Sequence, residues 1–301
     1  MKRGRKSCEA RAPHQPPFKD LRSHEQPCIH PEKRRQFPNV RLAQFRFEVR
    51  NFLHRLLHQS PSTPYHAAMI LAFAPHPDDL EFGCGPILFQ EAARGIAVHC
   101  IITSYGEAGS HGSPAIREAE AHAAAKILGT SLEFAPLASD AHLAPSPAHA
   151  MQIAAHIRTH KPQVLLAPTL VENQHPDHVA LAKIVRDAAR LARYAGLAEL
   201  KHLPPHAVSA MLNYAITPDA EPRDIVPLLI DISAKETLAA WTAAIVAHAS
   251  QLQTRNYLDL ALTRAHLHGL RAGVSHALPV YFNDPLLLPN LESIGHSARQ
   301  F

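Results

Sequence analysis

The chain has 301 residues, 46% hydrophobic and 19% charged, with a formal charge of +4. That length and balance suit one large globular domain or two small ones and exclude a chain disordered throughout. No run approaches about 18 consecutive apolar residues, which excludes a membrane-spanning helix.

The charge is unevenly placed. Residues 1–60 carry 14 Lys/Arg against 5 Asp/Glu, and residues 61–301 carry 16 against 21. The basic segment also holds Pro13, Pro16, Pro17, Pro27, Pro31 and Pro38, a density that sustains neither helix nor central strand. It lacks the apolar stretch of a secretory signal. Residues 1–66 therefore read as a basic, partly disordered extension. Leu42, Phe45, Val49, Phe52, Leu53, Leu56 and Leu57 recur at helical spacing within it, predicting a helix over 40–58. A single domain follows over 67–301. The cysteines Cys8, Cys28, Cys84 and Cys100 show no Cys-x-x-Cys spacing and read as reduced thiols of a cytoplasmic protein.

From Met69 short apolar runs alternate with helical patterns. Met69–Ala74 and Ala97–Thr103 read as buried strands, with a helical segment over 86–94 between them. A helix over 115–128, a strand over 132–137, a helix over 148–160 and a strand over 164–168 follow. Helices over 178–193 and 235–253, with strands over 209–216 and 227–232, complete the pattern. This rhythm predicts an α/β, Rossmann-like three-layer sandwich with a mostly parallel sheet. Such sheets bind ligands beyond the carboxyl ends of their strands.

The first strand runs directly into Pro75-His76-Pro77-Asp78-Asp79-Leu80-Glu81. Two adjacent carboxylates repel unless a cation or donors offset them, and imidazole with carboxylate is the ligand chemistry of zinc and its neighbours. Taken alone, the motif reads equally well as a capped turn at a helix start. The strand over 164–168 leads to Gln174-His175-Pro176-Asp177-His178. In a chain with 23 histidines any single one is ordinary. Two His-Pro-Asp motifs at strand ends that meet at a topological switch point are not, and together they predict a shared metal site. Asp140, just past the third strand, is a candidate for lining the same pocket. Glu81 reads as a helix-start residue and Cys84 as a packing residue.

This pair of motifs resembles the PIG-L (LmbE-like) family of zinc deacetylases, most of all those that deacetylate N-acetylglucosaminyl-malate in bacillithiol biosynthesis. The likeness runs from Met69 to about Ile294. It extends to Glu81-Phe82-Gly83-Cys84-Gly85, Gly106-Glu107-Ala108-Gly109-Ser110, Arg117-Glu118-Ala119, the segment 124–129 and Ala247-His248-Ala249-Ser250-Gln251. The resemblance implies that His76, Asp79 and His178 bind Zn2+ (or Fe2+ in the cell), with one position left open. It implies Asp78 as general base toward the attacking water, a protonated His175 facing the oxyanion, and Asp177 orienting that imidazolium. Arg117 would reach the substrate. At Gly273-Val274-Ser275-His276 the chain departs from the family, placing His276 where a tyrosine is expected to touch substrate.

The expected activity is hydrolysis of the N-acetyl group of an amino-sugar small molecule, releasing acetate. The expected assembly is a homo-oligomer without a nucleic-acid partner. A metal-dependent amidase acting on another amide is the second reading. A non-catalytic metal module, tethered by its basic arm to nucleic acid or membrane, is the third.

Overall fold

In the structure, a computed structural model that describes residues 69–253, 255–290 and 297, the run Met69–Ala74 forms the central strand β1. The chain divides into two units, Met1–Ser62 and Thr63–Phe301. The basic extension and its expected helix over 40–58 lie outside the described residues.

The strands are β1, β2 (Ala97–Ile102), β3 (Ser131–Phe134), β4 (Val164–Pro168), β5 (Ala210–Tyr214), β6 (Leu228–Asp231) and β7 (Ala277–Phe282). They form one sheet in the order β3-β2-β1-β4-β5-β7-β6. From β3 to β5 every pairing is parallel; β7 runs antiparallel to both β5 and β6. The helices are α1 (Asp79–Gly83), α2 (Gly85–Ala93), α3 (Pro114–Leu128), α4 (Pro147–His160), α5 (Pro176–Leu191), α6 (Lys235–Ala247) and α7 (Tyr257–Ala272).

Alternation along β1 splits the core in two. Ile70, Ala72 and Ala74 face a layer built with Leu80, Leu88, Trp241 and Ile245, while Leu71 and Phe73 face Ile153, Ile157, Leu181 and Val185. Helices α1, α2, α3, α6 and α7 therefore cover one face, and α4 and α5 the other. The expected three-layer sandwich is present. Both faces being covered explains why β1 and β4 read as continuous apolar runs rather than alternating ones.

Local chemistry starts the helices. Ser113 and Ser146 accept from the amides of Ile116 and His149, each followed by a proline at the first helical position. Gly129, at φ 71°, closes α3 in the left-handed conformation.

Four elements differ most from the sequence reading. The helix expected to reach Gln253 ends at Ala247, because the amide and hydroxyl of Ser250 turn aside to the Glu120 carboxylate at 2.8 and 2.6 Å. The helix expected from His178 begins two residues earlier, at Pro176. The stretch after residue 256 supplies α7 and β7, which the reading left without elements, and β7 inserts between β5 and β6.

Candidate active site

The strand order reverses between β1 and β4, which pair directly through Leu71 and Leu165. The loops that leave their carboxyl ends meet there, as the switch-point rule requires.

Pro75–Pro77 turns off β1, and Asp78 opens α1 at φ 98°. Among the described residues three non-glycine positions have positive φ: Asp78 in the loop after β1, Ala141 in the loop after β3, and Lys161 at the end of α4. Strain of this kind persists where surrounding contacts over-determine the backbone. The Asp78 side chain makes no capping hydrogen bond, so the capped-turn alternative does not hold for it. Asp79 takes that role instead, its Oδ2 accepting the His76 amide at 3.0 Å.

Asp79 also stands between two imidazoles. Its Oδ2 lies 3.1 Å from His76 Nδ1 and its Oδ1 lies 3.2 Å from His178 Nε2. Ligand atoms around a tetrahedral zinc stand about 3.3 Å apart, given zinc–ligand bonds of ~2.0–2.1 Å. The three expected ligands are therefore together, at close to coordination spacing. His175 joins them: one nitrogen from each of His76, His175 and His178 lies within 4.8 Å of the others. The Nε2 of His76 points toward a second group of carboxylates, 2.9 Å from Asp140 Oδ1 and 3.4 Å from Asp177 Oδ2. At that separation it still makes no hydrogen bond, leaving a buried nitrogen unsatisfied.

The electrostatics follow from this crowding. Burial works against a charge on His76, but Asp140, Asp177 and Asp79 outweigh it and push the imidazole up to about 12. Three carboxylates around one ring require a cation among them, a proton or a metal ion. Burial also opposes charge on Asp79, yet His178 and His76 hold it well below the carboxylate range. Asp78 goes the other way. Burial and then the adjacent Asp79 raise it to about 7, against the pull of His248, Arg117 and His76.

The remaining predicted residues divide. Asp140 is in the cluster, anchored by the Ala108 amide at 3.1 Å. Asp177 is in the cluster too, but its carboxylate accepts from the amides of Ala141 and Leu143 rather than holding the His175 ring. The bond between Asp177 and His175 runs from the Asp177 amide to His175 Nδ1 at 3.3 Å, which leaves the imidazole proton on Nε2. Burial, then His76 and His178, hold His175 below the usual histidine range. The structure thus favours a neutral donor where the sequence reading had an imidazolium.

Arg117 is turned inward, only 4% exposed, and donates to the carbonyls of Gly106 (2.7 Å) and Pro77 (2.8 Å). It braces the loop that carries Asp78, whose Oδ2 lies 3.5 Å away, and so does not serve as the expected substrate contact. Gly106 sits at φ 66° with its α-carbon against that guanidinium, where a methyl group would collide with Arg117. His276 is not brought in. It bonds Ser275 and Ser233 at the start of β7, which β5 separates from β4. Cys84 and Cys100 are free and buried, and burial raises both thiols, Cys100 to about 12, so they pack rather than react.

A pocket of about 180 Å³ opens beside the cluster, lined by Asp78, Asp79, His178, Phe82, Tyr257 and Arg264 among others. Arg264 donates from Nε to Glu221 (2.6 Å) and from Nη1 to the Ala215 carbonyl (2.8 Å), leaving its buried Nη2 without a partner. A slightly larger cavity, about 220 Å³, lies at the opposite end of β5 between Arg190 and Phe282, and none of the expected catalytic groups lines it. Sequence reading missed Arg264, since nothing marks one arginine in a helix it did not find. It also missed His248, fully buried 3.2 Å from Glu81, whose only signal was the Ala-His-Ala-Ser-Gln stretch.

Residues 71–189 match the PIG-L family, described as GlcNAc-PI de-N-acetylase. The conserved protein TT1542 from Thermus thermophilus is 30% identical in sequence, with a TM-score of 0.64 over 73% of this chain and 96% of that one. The chain therefore belongs to the PIG-L (LmbE-like) family. Two further solved structures share its fold. The N,N'-diacetylchitobiose deacetylase of Pyrococcus horikoshii is 21% identical, with a TM-score of 0.64 over 83% of this chain and 98% of that one. The 4-carboxy-2-hydroxymuconate hydratase GalB of Pseudomonas putida KT2440 is 22% identical, at 0.62 over 74% and 99%. The uncharacterized deacetylase YaiS of Escherichia coli K12 is 42% identical over 60 residues, a match spanning 20% of this chain and 32% of that protein.

Proposed function

We propose that the protein is a zinc-dependent N-deacetylase acting on an N-acetylglucosaminide, with N-acetylglucosaminyl-malate as the leading substrate. The observation that carries this reading is the position of Asp78. It is a largely enclosed carboxylate adjacent to the His76–Asp79–His178 set and facing the same pocket, and burial and the neighbouring Asp79 raise it above the ordinary carboxylate range. A base with a pKa near the working pH is what proton removal from a nucleophilic water needs. The donor set fits a divalent ion, with His76, Asp79 and His178 as its holders: Asp79 stands 3.1 Å from His76 Nδ1 and 3.2 Å from His178 Nε2. Such an ion would polarise the acetamide carbonyl and make the attacking water more acidic.

The chain's own residues then divide the work. Asp78 takes the proton from water as the C–O bond forms and returns it to the amine nitrogen as the C–N bond breaks. His175, with its proton on Nε2, offers a donor to the oxygen that becomes negative as the carbonyl is attacked. Asp177 and Asp140 fix His76 and the 140–143 loop around it. Arg117 holds the Asp78 loop in place. The free Nη2 of Arg264 supplies the substrate contact expected of Arg117 and His276, and its guanidinium suits a malate carboxylate.

Acetate release tests the proposal, measured with N-acetylglucosaminyl-malate, N-acetylglucosamine and an N-acetylglucosaminyl-inositol. Zinc-dependent release greatest from the malate compound supports it. Zinc-loaded protein that leaves all three intact sinks the glucosaminide assignment and moves the search to other amides.

A further inference from the structure

Away from the catalytic loops, a second group of metal-binding side chains lies on the face of the sheet that α4 covers. His99 on β2 and Glu133 on β3 project there, in line with Leu71 and Ile101 of the same core layer. His156 and His160 stand one turn apart on α4 and face them. Three imidazole nitrogens converge on a single oxygen, Glu133 Oε2: His99 Nε2 at 3.3 Å, His156 Nδ1 at 3.8 Å and His160 Nε2 at 3.9 Å. One ligand atom from each of His99, Glu133 and His160 lies within 4.8 Å of the others.

The hydrogen bonds show what this group can accept. The Ser131 hydroxyl donates to the Val98 carbonyl at 3.2 Å, so it accepts from His99 Nδ1 at 2.8 Å. That places the His99 proton on Nδ1 and turns the lone pair of Nε2 toward a carboxylate oxygen. At 3.3 Å that nitrogen meets the carboxylate either as the donor of a doubly protonated ring or, in the neutral ring, with a cation between them. The same hydroxyl aims the ring, as partners of the far nitrogen do for metal-bound histidines. His99 and His160 stack at 4.3 Å, which sets the two rings side by side at the same acid.

We propose that His99, Glu133, His156 and His160 form a second divalent-cation site, separate from the catalytic cluster and selective for the zinc, copper and nickel class. Three imidazoles with one carboxylate match that class rather than magnesium or calcium, which take oxygen ligands. Zinc–nitrogen bonds are ~2.0–2.1 Å, so His156 and His160 need to close by about half an ångström on Glu133. Both are partly exposed and free to do so, at 24% and 23% of their side-chain surface. An ion there ties the end of α4 to the edge strand β3 and its neighbour β2, stabilising the fold by mass action.

The test is zinc stoichiometry on the full chain, freed of metal with a chelator, reloaded with zinc chloride and passed through metal-free buffer. The expected content is about one ion per chain more than in His156→Ala/His160→Ala, whose exchanges on a partly exposed helix face leave a good helix former. His178→Ala, which alters only the catalytic cluster, should retain the second ion, and zinc should raise its melting temperature. Glu133→Gln should lose the second ion while melting normally without metal. Equal zinc in the wild type and the double variant overturns the site, whatever the catalytic cluster holds. So does a zinc-induced melting shift in His178→Ala that survives the further exchange of His156 and His160.

Discussion

Asp78 occupies a left-handed backbone conformation that asparagine adopts at less cost than alanine, so Asp78→Asn isolates the carboxylate from the turn. Loss of a general base costs roughly 10²–10⁴ in turnover. Asp78→Asn should therefore keep its metal and lose about that factor in kcat, read by acetate release beside metal analysis. His178→Ala should lose the ion of the His76–Asp79–His178 set and activity together. A metal-free Asp78→Asn protein would falsify the division between base and ligand. Arg117 raises a different question, since it touches Pro77, Gly106 and Asp78 rather than the pocket. Arg117→Ala strips donors from two carbonyls and the base. It should lower kcat and the melting temperature with little change in KM. A large rise in KM with kcat intact would return Arg117 to substrate binding.

At the scale of elements, α7 is held to the loop after β5 by a buried network. Arg264 and His268 both reach Glu221 Oε1, at 2.6 and 2.9 Å. Burial opposes the Glu221 charge, but His268 and Arg264 outweigh it and hold the carboxyl below its ordinary value of about 4.5. A depressed carboxyl stabilises the fold above its unfolded pKa and loses that contribution as the pH falls through its folded one. Melting temperatures should thus drop from about pH 4.5 downward, and Glu221→Gln should flatten that part of the profile. At neutral pH the variant should be less stable by roughly 1–3 kcal/mol, since Arg264 is left buried with one partner fewer. An unchanged acid limb in Glu221→Gln would show that the pairing contributes nothing to it. The network also positions the Arg264 edge that lines the pocket, so α7 carries both stability and substrate contact.

Over the whole molecule, the proposed catalytic groups sit at the carboxyl ends of interior strands, beyond the apolar side chains that form the two core layers. No helix among the described residues is long and apolar enough to cross a membrane. Small metal domains unfold when their ion is removed because they lack such a core. Here, stripping the catalytic metal should abolish acetate release while far-UV circular dichroism stays constant, and zinc should restore activity without a refolding step. Loss of helical signal on chelation would mean that the metal organises the fold as well as the reaction.

The residues that bring β1 and β4 together were legible in order: buried apolar runs, each ending in a His-Pro-Asp motif. A fully buried parallel strand must be continuously apolar, and a metal site at a strand end must present histidine and carboxylate, so both signals are local. The sequence by itself thus determined the sandwich, its switch point and the set His76, Asp78, Asp79, His175, Asp177 and His178. Only the tertiary structure decided that Arg117 faces inward, that His276 lies two strands from β4, and that Arg264 and His248 stand near Asp78. It also decided that β7 returns antiparallel between β5 and β6. Those facts depend on which distant surfaces pack together, and a guanidinium looks the same in sequence whether it meets a substrate or two backbone carbonyls.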